Sequence, residues 1–161
     1  MKKNILFIFL ASFIISACEK DDFCVINPVT PNLVLRFYDD INRETLKNVD
    51  DFYVWAEGKD TIFKNVSTDS IYIPLNNLST ETVYNLSTGN IVNKFTIRYI
   101  PKEEYVSRSC GFRMVFNDVT FAPNLSTWIK DFTPNSLTVI DNQNSADVKI
   151  FHYHLPAFCF Y

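Results

Sequence analysis

A β-hairpin is predicted by residues 52–64, which read FYVWAEGKDTIFK. Across residues 52–56, side chains alternate with a period of two, which is typical of a strand with one face on a core. Residues 57–60 supply turn-forming side chains, and residues 61–64 can return as the antiparallel partner of the first strand. This stretch therefore favours a sheet of antiparallel strands.

Strand-like segments of similar length lie on both sides of this hairpin. No long amphipathic helix separates them, and the one helical turn that we expect is at residues 125–129. The pattern predicts an all-β fold, an antiparallel immunoglobulin-like β-sandwich of about 7–9 short strands, with a small β-barrel as the alternative. The further predicted strands are residues 33–38, 70–75, 82–87, 93–100, 105–110, 112–117, 137–140 and 147–155.

The N-terminal residues resemble an export signal. Two lysines precede an apolar run, residues 5–15, which is too short to cross a bilayer as a helix. Ile15-Ser16-Ala17-Cys18 then resembles the bacterial lipobox, in which the cysteine sulfur carries diacylglycerol. Two or more acyl chains anchor a protein stably, whereas one binds only marginally. We expect residues 1–17 to be a lipoprotein signal peptide and Cys18 to be acylated; the alternative is an ordinary signal peptide with an incidental cysteine.

The charged residues after the acylation site predict a location. Lys20, Asp21 and Asp22 resemble the surface-export signal of lipoproteins in the Bacteroidota, and the alternative is a solvated linker. Residues 18–32 are interpreted as an acylated tether, and residues 33–161 as a single β-sandwich domain. The expected location is the outer membrane, with the protein lipid-anchored at the cell surface, or alternatively at the periplasmic face.

The composition narrows the classes of ligand. Lys and Arg number 15 and Asp and Glu number 18, and the basic residues form no cluster. Neither nucleic acid nor anionic lipid is an expected partner, because neutralising their phosphates needs clustered Lys and Arg. Only three glycines occur, which argues against the Gly-rich phosphate loops of nucleotide-binding folds. We therefore expect no cofactor.

Three segments together resemble a known group of proteins. TPNLVLRFYD at residues 30–39, VSRSCGFR at residues 106–113 and DVKI at residues 147–150 are similar to segments of an uncharacterised family of Bacteroidota lipoproteins. The resemblance covers nearly the whole mature chain. It implies lipid anchoring and a β-sandwich, and it implies no activity, because the family is a domain of unknown function.

Three cysteines remain once Cys18 is acylated. An oxidising envelope compartment favours one disulfide among Cys24, Cys110 and Cys159. We favour Cys24 with Cys110, which would tie the end of the tether to the middle of the domain, and the other two pairings stay open. The resemblance supports Cys24 and Cys110 as recurring positions and leaves Cys159 as a departure of this chain.

Two aromatic residues form a candidate ligand face. Tyr53 and Trp55 alternate with Phe52 and Val54, so one of the two pairs faces away from the core. If Tyr53 and Trp55 face outward, they could bind sugar rings. The alternative is that they form the core, with Phe52 and Val54 turned outward or under a loop.

No catalytic residue is predicted. His152 and His154 are weak candidates for metal ligands, since residues two apart on a strand project to one face, but the sequence offers no third ligand. The leading hypothesis is a non-enzymatic binding or scaffolding module of the outer membrane. The alternatives are a carbohydrate-binding accessory lipoprotein and, third, a metal-dependent hydrolase. The expected partners are the membrane, through the lipid, and an envelope protein or a glycan.

Overall fold

The computed structural model describes Cys24 and residues 30–125, 127–141 and 148–153. All the regular secondary structure among these residues is β-strand, so the predicted all-β class is confirmed. The ten strands are β1 (Asn32–Asp39), β2 (Val49–Ala56), β3 (Thr61–Thr68), β4 (Ser70–Pro74), β5 (Glu81–Thr88), β6 (Ile91–Ser107), β7 (Gly111–Pro123), β8 (Ile129–Thr133), β9 (Ser136–Ile140) and β10 (Val148–His152).

The strands form two open sheets, in the manner of a β-sandwich. The first has four strands in the order β4-β1-β10-β8, and the second has six in the order β3-β2-β5-β6-β7-β9. Neither sheet closes on itself, so the alternative of a small barrel is not adopted. One pair departs from the antiparallel rule, because β1 and β10 run parallel, with Leu35 opposite Val148.

The core lies between the inner faces of the two sheets. Phe37 of β1 packs edge-on against Phe52 of β2, with ring centroids 5.2 Å apart. Trp128 lies 6.0 Å from Phe37 and 5.9 Å from Phe52, and its indole N–H donates a hydrogen bond to the carbonyl of Leu86. A large aromatic side chain thus reaches both sheets and satisfies its single donor inside the core.

A bulge at the start of β2 sets which residues face that core. Asp51 has a φ of 47°, in the left-handed region, and its carbonyl accepts a hydrogen bond from the amide of Gly89. The register shifts between Val49 and Phe52, and both of these residues are buried. The extra residue restarts the alternation, so that Phe52 and Val54 point inward.

Three details differ from the sequence predictions. The helical turn expected at residues 125–129 is wrong, because the described residues there form a turn and a bend and Ile129 begins β8. Buried Asn93 holds this segment by donating hydrogen bonds to the Asn124 carbonyl and the Thr127 hydroxyl. In addition, β8 was not predicted, and two predicted strands are one 17-residue strand, β6.

Two compact units can be distinguished. The larger consists of residues 29–104 and 114–161, and it contains the whole aromatic and aliphatic core described above. The described part of the smaller unit is Cys24 and residues 105–113. Among the described residues, no helix has the length and apolar character needed to cross a membrane.

Candidate functional site

Tyr53 and Trp55 lie on the face of β2 that is turned away from the core. Phe52 and Val54 are fully buried, whereas both aromatic rings are partly exposed. The alternative in which Tyr53 and Trp55 fill the core is therefore not adopted. The register with β5 places Tyr53 opposite Ser87, on the same face.

A concavity of about 440 Å³ opens in front of these two rings. Its volume is within the usual range of small-molecule sites, roughly 300 to 1,000 Å³. Trp55 is paired with Thr61 of β3, and the tight turn that joins β5 to β6 closes the other end. The lining residues are Tyr53, Trp55, Thr61, Ser87, Gly89 and Asn90.

The turn at this end is fixed by local geometry. Gly89 has a φ of 54°, a conformation that an L side chain rarely adopts. The buried Ser87 hydroxyl donates a hydrogen bond of 3.0 Å to the Gly89 carbonyl, which fastens the turn to β5. The rim of the concavity is thus held by a constrained backbone turn and by a buried side-chain hydroxyl.

The chemistry of the concavity is aromatic and polar, without charge. Two rings supply flat apolar surface, and the Thr61 hydroxyl and Asn90 amide can donate and accept hydrogen bonds. None of its six lining residues is charged or is a histidine. A neutral ligand that combines an apolar face with hydroxyl groups fits this surface better than an anion does.

His152 lies in the core of the larger unit. It is buried, and its ring packs edge-on against Trp128 at 5.7 Å and Phe37 at 6.2 Å. Its Nε2 is 3.1 Å from the carbonyl oxygen of Lys47 and donates a hydrogen bond to it. Burial lowers the pKa of His152 below its ordinary value, although hydrogen bonds to the backbone of Lys47 and Tyr153 act in the opposite direction. The described residues contain no group of three or more His, Cys, Asp or Glu side chains suited to a metal.

An ion pair holds the loop that follows β1, and sequence reasoning missed it. The Lys47 ammonium lies 2.7 Å from the Asp39 carboxylate, which also accepts hydrogen bonds from the amides of Ile41 and Asn42. The Lys47 hydrogen bond, followed by the two amides, lowers the pKa of Asp39 to about 2. Lys47 therefore holds this loop twice: its ammonium pairs with Asp39, and its carbonyl accepts the hydrogen bond from His152.

A second concavity, of about 520 Å³, lies along β6, β7 and β9 of the larger unit. Its walls carry Lys102 together with Glu104, Asp118 and Asp141. Glu104 and Asp141 have interaction partners within the structure. The arrangement is that of a charged sheet surface, and we assign no ligand to it.

The smaller unit contains a disulfide between Cys24 and Cys110, whose Cα atoms are 4.8 Å apart. This is the pairing that we favoured. The Cys110 amide donates a hydrogen bond to the Ser107 hydroxyl, which closes the turn between β6 and β7. Beside it, the rings of Tyr105 and Phe112 stack edge-on with centroids 5.4 Å apart.

Several predicted positions lie outside the described residues. They are the acylation site Cys18, the charged residues Lys20, Asp21 and Asp22, the histidine His154 and the cysteine Cys159. The polar rim of the Tyr53 concavity was missed from sequence, because Ser87 and Asn90 reach it only through the pairing of β2 with β5.

Comparison with known protein families matches residues 51–152 to DUF6452, a family of unknown function. No curated protein and no solved structure matches the chain. The matched segment runs from β2 to β10, so it includes all the residues that line the Tyr53 concavity and also Cys110.

Proposed function

The chain belongs to DUF6452, a family of unknown function, and we propose from its own residues that it is a non-enzymatic, carbohydrate-binding lipoprotein of the cell envelope. One observation carries the proposal: Tyr53 and Trp55 stand side by side on an open, uncharged concavity. The ligand would be a neutral glycan chain that lies across β2, β3 and β5.

Sugars suit this surface for a physical reason. The C–H face of a pyranose ring is apolar and packs on an aromatic ring, while its hydroxyls need hydrogen-bonding partners around the edge. Tyr53 and Trp55 supply the aromatic surface, and Thr61 and Asn90 supply the edge partners. An open concavity also admits the middle of a polymer, which a closed pocket would exclude.

The same lining argues against an enzyme at this site. Thr61 and Ser87 bring hydroxyl groups, but a hydroxyl nucleophile needs an adjacent base, and no lining residue can act as one. The Ser87 hydroxyl also donates its hydrogen bond to the Gly89 carbonyl, so it is not free to attack a substrate. A binding role therefore fits the site better than hydrolysis.

The location in the proposal rests on the N-terminal residues. The apolar run and the lipobox-like Ile15-Ser16-Ala17-Cys18 support acylation at Cys18 and attachment to the outer membrane. Lys20, Asp21 and Asp22 support the cell surface as its location, where extracellular glycans would be within reach.

A glycan array probed with detergent-solubilised mature protein tests the proposal. We expect binding to neutral glycans, and we expect Trp55→Ala to weaken it by about tenfold or more, the equivalent of roughly 1.4 kcal/mol. The matched control is Tyr72→Ala, which removes a partly exposed aromatic ring from β4 of the other sheet.

Three results would contradict the proposal. Silence of the array towards every neutral glycan would remove the carbohydrate ligand. An equal loss of binding in the Trp55→Ala and Tyr72→Ala proteins would show that the concavity is not where the ligand binds. Specific capture of another envelope protein by the same face would replace the glycan with a protein partner.

A further inference from the structure

The turn segment, residues 105–113, joins β6 to β7 and carries two exposed aromatic rings. It contains Arg108 and Arg113 and no acidic residue, whereas the whole chain has a net charge of −3. Tyr105 and Phe112 are 60% and 63% exposed, and their rings stack on each other. Two exposed aromatic rings thus lie next to each other in the smaller unit.

The disulfide limits how far this segment can be from the N-terminal lipid. Six residues of chain lead from Cys18 to Cys24, and they span at most about 20 Å when fully extended. Cys24 is bonded to Cys110, in the middle of the turn segment. If Cys18 is acylated, as proposed above, the turn segment must therefore lie close to the membrane surface.

The exposed side chains match that environment. Tyrosine and phenylalanine rings place apolar surface in the interfacial layer of a bilayer, and the phenol of Tyr105 can remain among the headgroups.

We propose that the turn segment docks on the lipid bilayer, with Tyr105 and Phe112 inserted in the headgroup layer. The Cys24–Cys110 disulfide bonds the turn segment to the acylated tether, and this short tether keeps the segment at the bilayer surface. The inference rests on the lipid-anchoring part of the proposed function and is independent of the glycan site. The partner is a lipid surface. Because the acyl anchor already holds the protein at the bilayer, the effective concentration of lipid near the turn segment is high, and even a weak contact can form.

Collisional quenching by brominated lipids tests this docking. Acylated mature protein carrying Phe112→Trp would be reconstituted into vesicles of phosphatidylcholine and phosphatidylglycerol with brominated acyl chains. We expect a loss of indole fluorescence beyond that of the wild type, whose Trp55 and Trp128 set the background. The matched control is the same variant in vesicles of the same lipids without bromine, where the indole should lose no fluorescence.

A second variant tests the role of the disulfide. Cys24→Ser combined with Cys110→Ser, in the Phe112→Trp background, should lose the added quenching while the protein stays attached to the vesicles. Far-UV circular dichroism would show that the variant retains its sheet content. Persistence of the full quenching without the disulfide would overturn the claim that the bond positions the segment.

The failures can be told apart. Mass spectrometry that finds Cys18 without acyl chains would overturn the anchoring proposal and this inference together. Acylated, vesicle-bound Phe112→Trp protein that is quenched no more than the wild type would overturn this inference alone. Neither result bears on binding of glycans at Tyr53 and Trp55.

Discussion

Replacement of Phe52 by alanine tests the face assignment on which the candidate site depends. Phe52 is fully buried and contacts Phe37 of the other sheet and Trp128, with ring centroids 5.2 and 5.9 Å away. Truncation of a buried phenylalanine typically costs about 3 to 5 kcal/mol, because apolar contacts are lost and a cavity is left. We expect Phe52→Ala to lower the free energy of unfolding by about that amount, out of a total of roughly 5 to 15 kcal/mol.

The adjacent outward-facing position provides the comparison. Trp55 is larger than Phe52 but only partly buried, so Trp55→Ala should cost about 1 kcal/mol, near the average for single substitutions. Urea unfolding followed by far-UV circular dichroism measures both losses. Phe52→Leu keeps part of the contact and should fall between the two, which preserves the comparison if the alanine variant does not fold.

The reasoning is refuted if Trp55→Ala proves as destabilising as Phe52→Ala. That result would mean that the tryptophan, and not the phenylalanine, fills the core. An altered slope of the free energy against urea concentration would instead indicate a change in the unfolded state, and such a variant would be excluded from the comparison.

Three further outcomes are expected from the structure. Replacement of Cys24 and Cys110 by serine should lower the free energy of unfolding by about 4 to 5 kcal/mol in the chain-entropy model, since the bond closes a span of 86 residues; an unchanged urea midpoint would contradict this. Because burial lowers the pKa of His152, the unfolded state takes up the proton more readily, so stability should be complete above pH 6.5 and decline as the pH falls below it. His152→Gln should remove that part of the pH dependence, and an unchanged slope in the variant would refute the assignment. Arg43→Ala should lower the urea midpoint much less than Phe52→Ala does, because its ion pairs with Asp40 and Asp131 are exposed to solvent and its only other described contact is with the Phe151 ring, 4.4 Å away; equal shifts of the midpoint in the two variants would contradict this.

Local features of the fold could be predicted from sequence, and remote pairings could not. The hairpin of β2 and β3 could be predicted because the alternating side chains and the turn-forming residues 57–60 lie in one short stretch. The β8 strand was missed because its five residues place Lys130 and Asp131 next to each other, which hides the alternation. The parallel pairing of β1 with β10 joins distant segments, and no local pattern encodes it.

The candidate site shows the same division. Alternation predicted that Tyr53 and Trp55 share a face, but two assignments of that face remained open. The choice depends on the bulge at Asp51 and on the burial of Phe52 between the sheets, and both are properties of the folded chain. Ser87 joins the site through strand pairing alone.

The position of β10 has a consequence for how the chain acquires its fold. This strand is not at the edge of its sheet. It lies between β1 and β8, and it pairs in parallel with β1. A chain that lacks residues 148–152 would leave β8 without a partner in its sheet and β1 paired with β4 alone, so the four-strand sheet could not form. Folding that depends on such distant contacts is slow. For a protein exported as proposed here, the four-strand sheet would therefore be completed only after β10 had crossed the membrane.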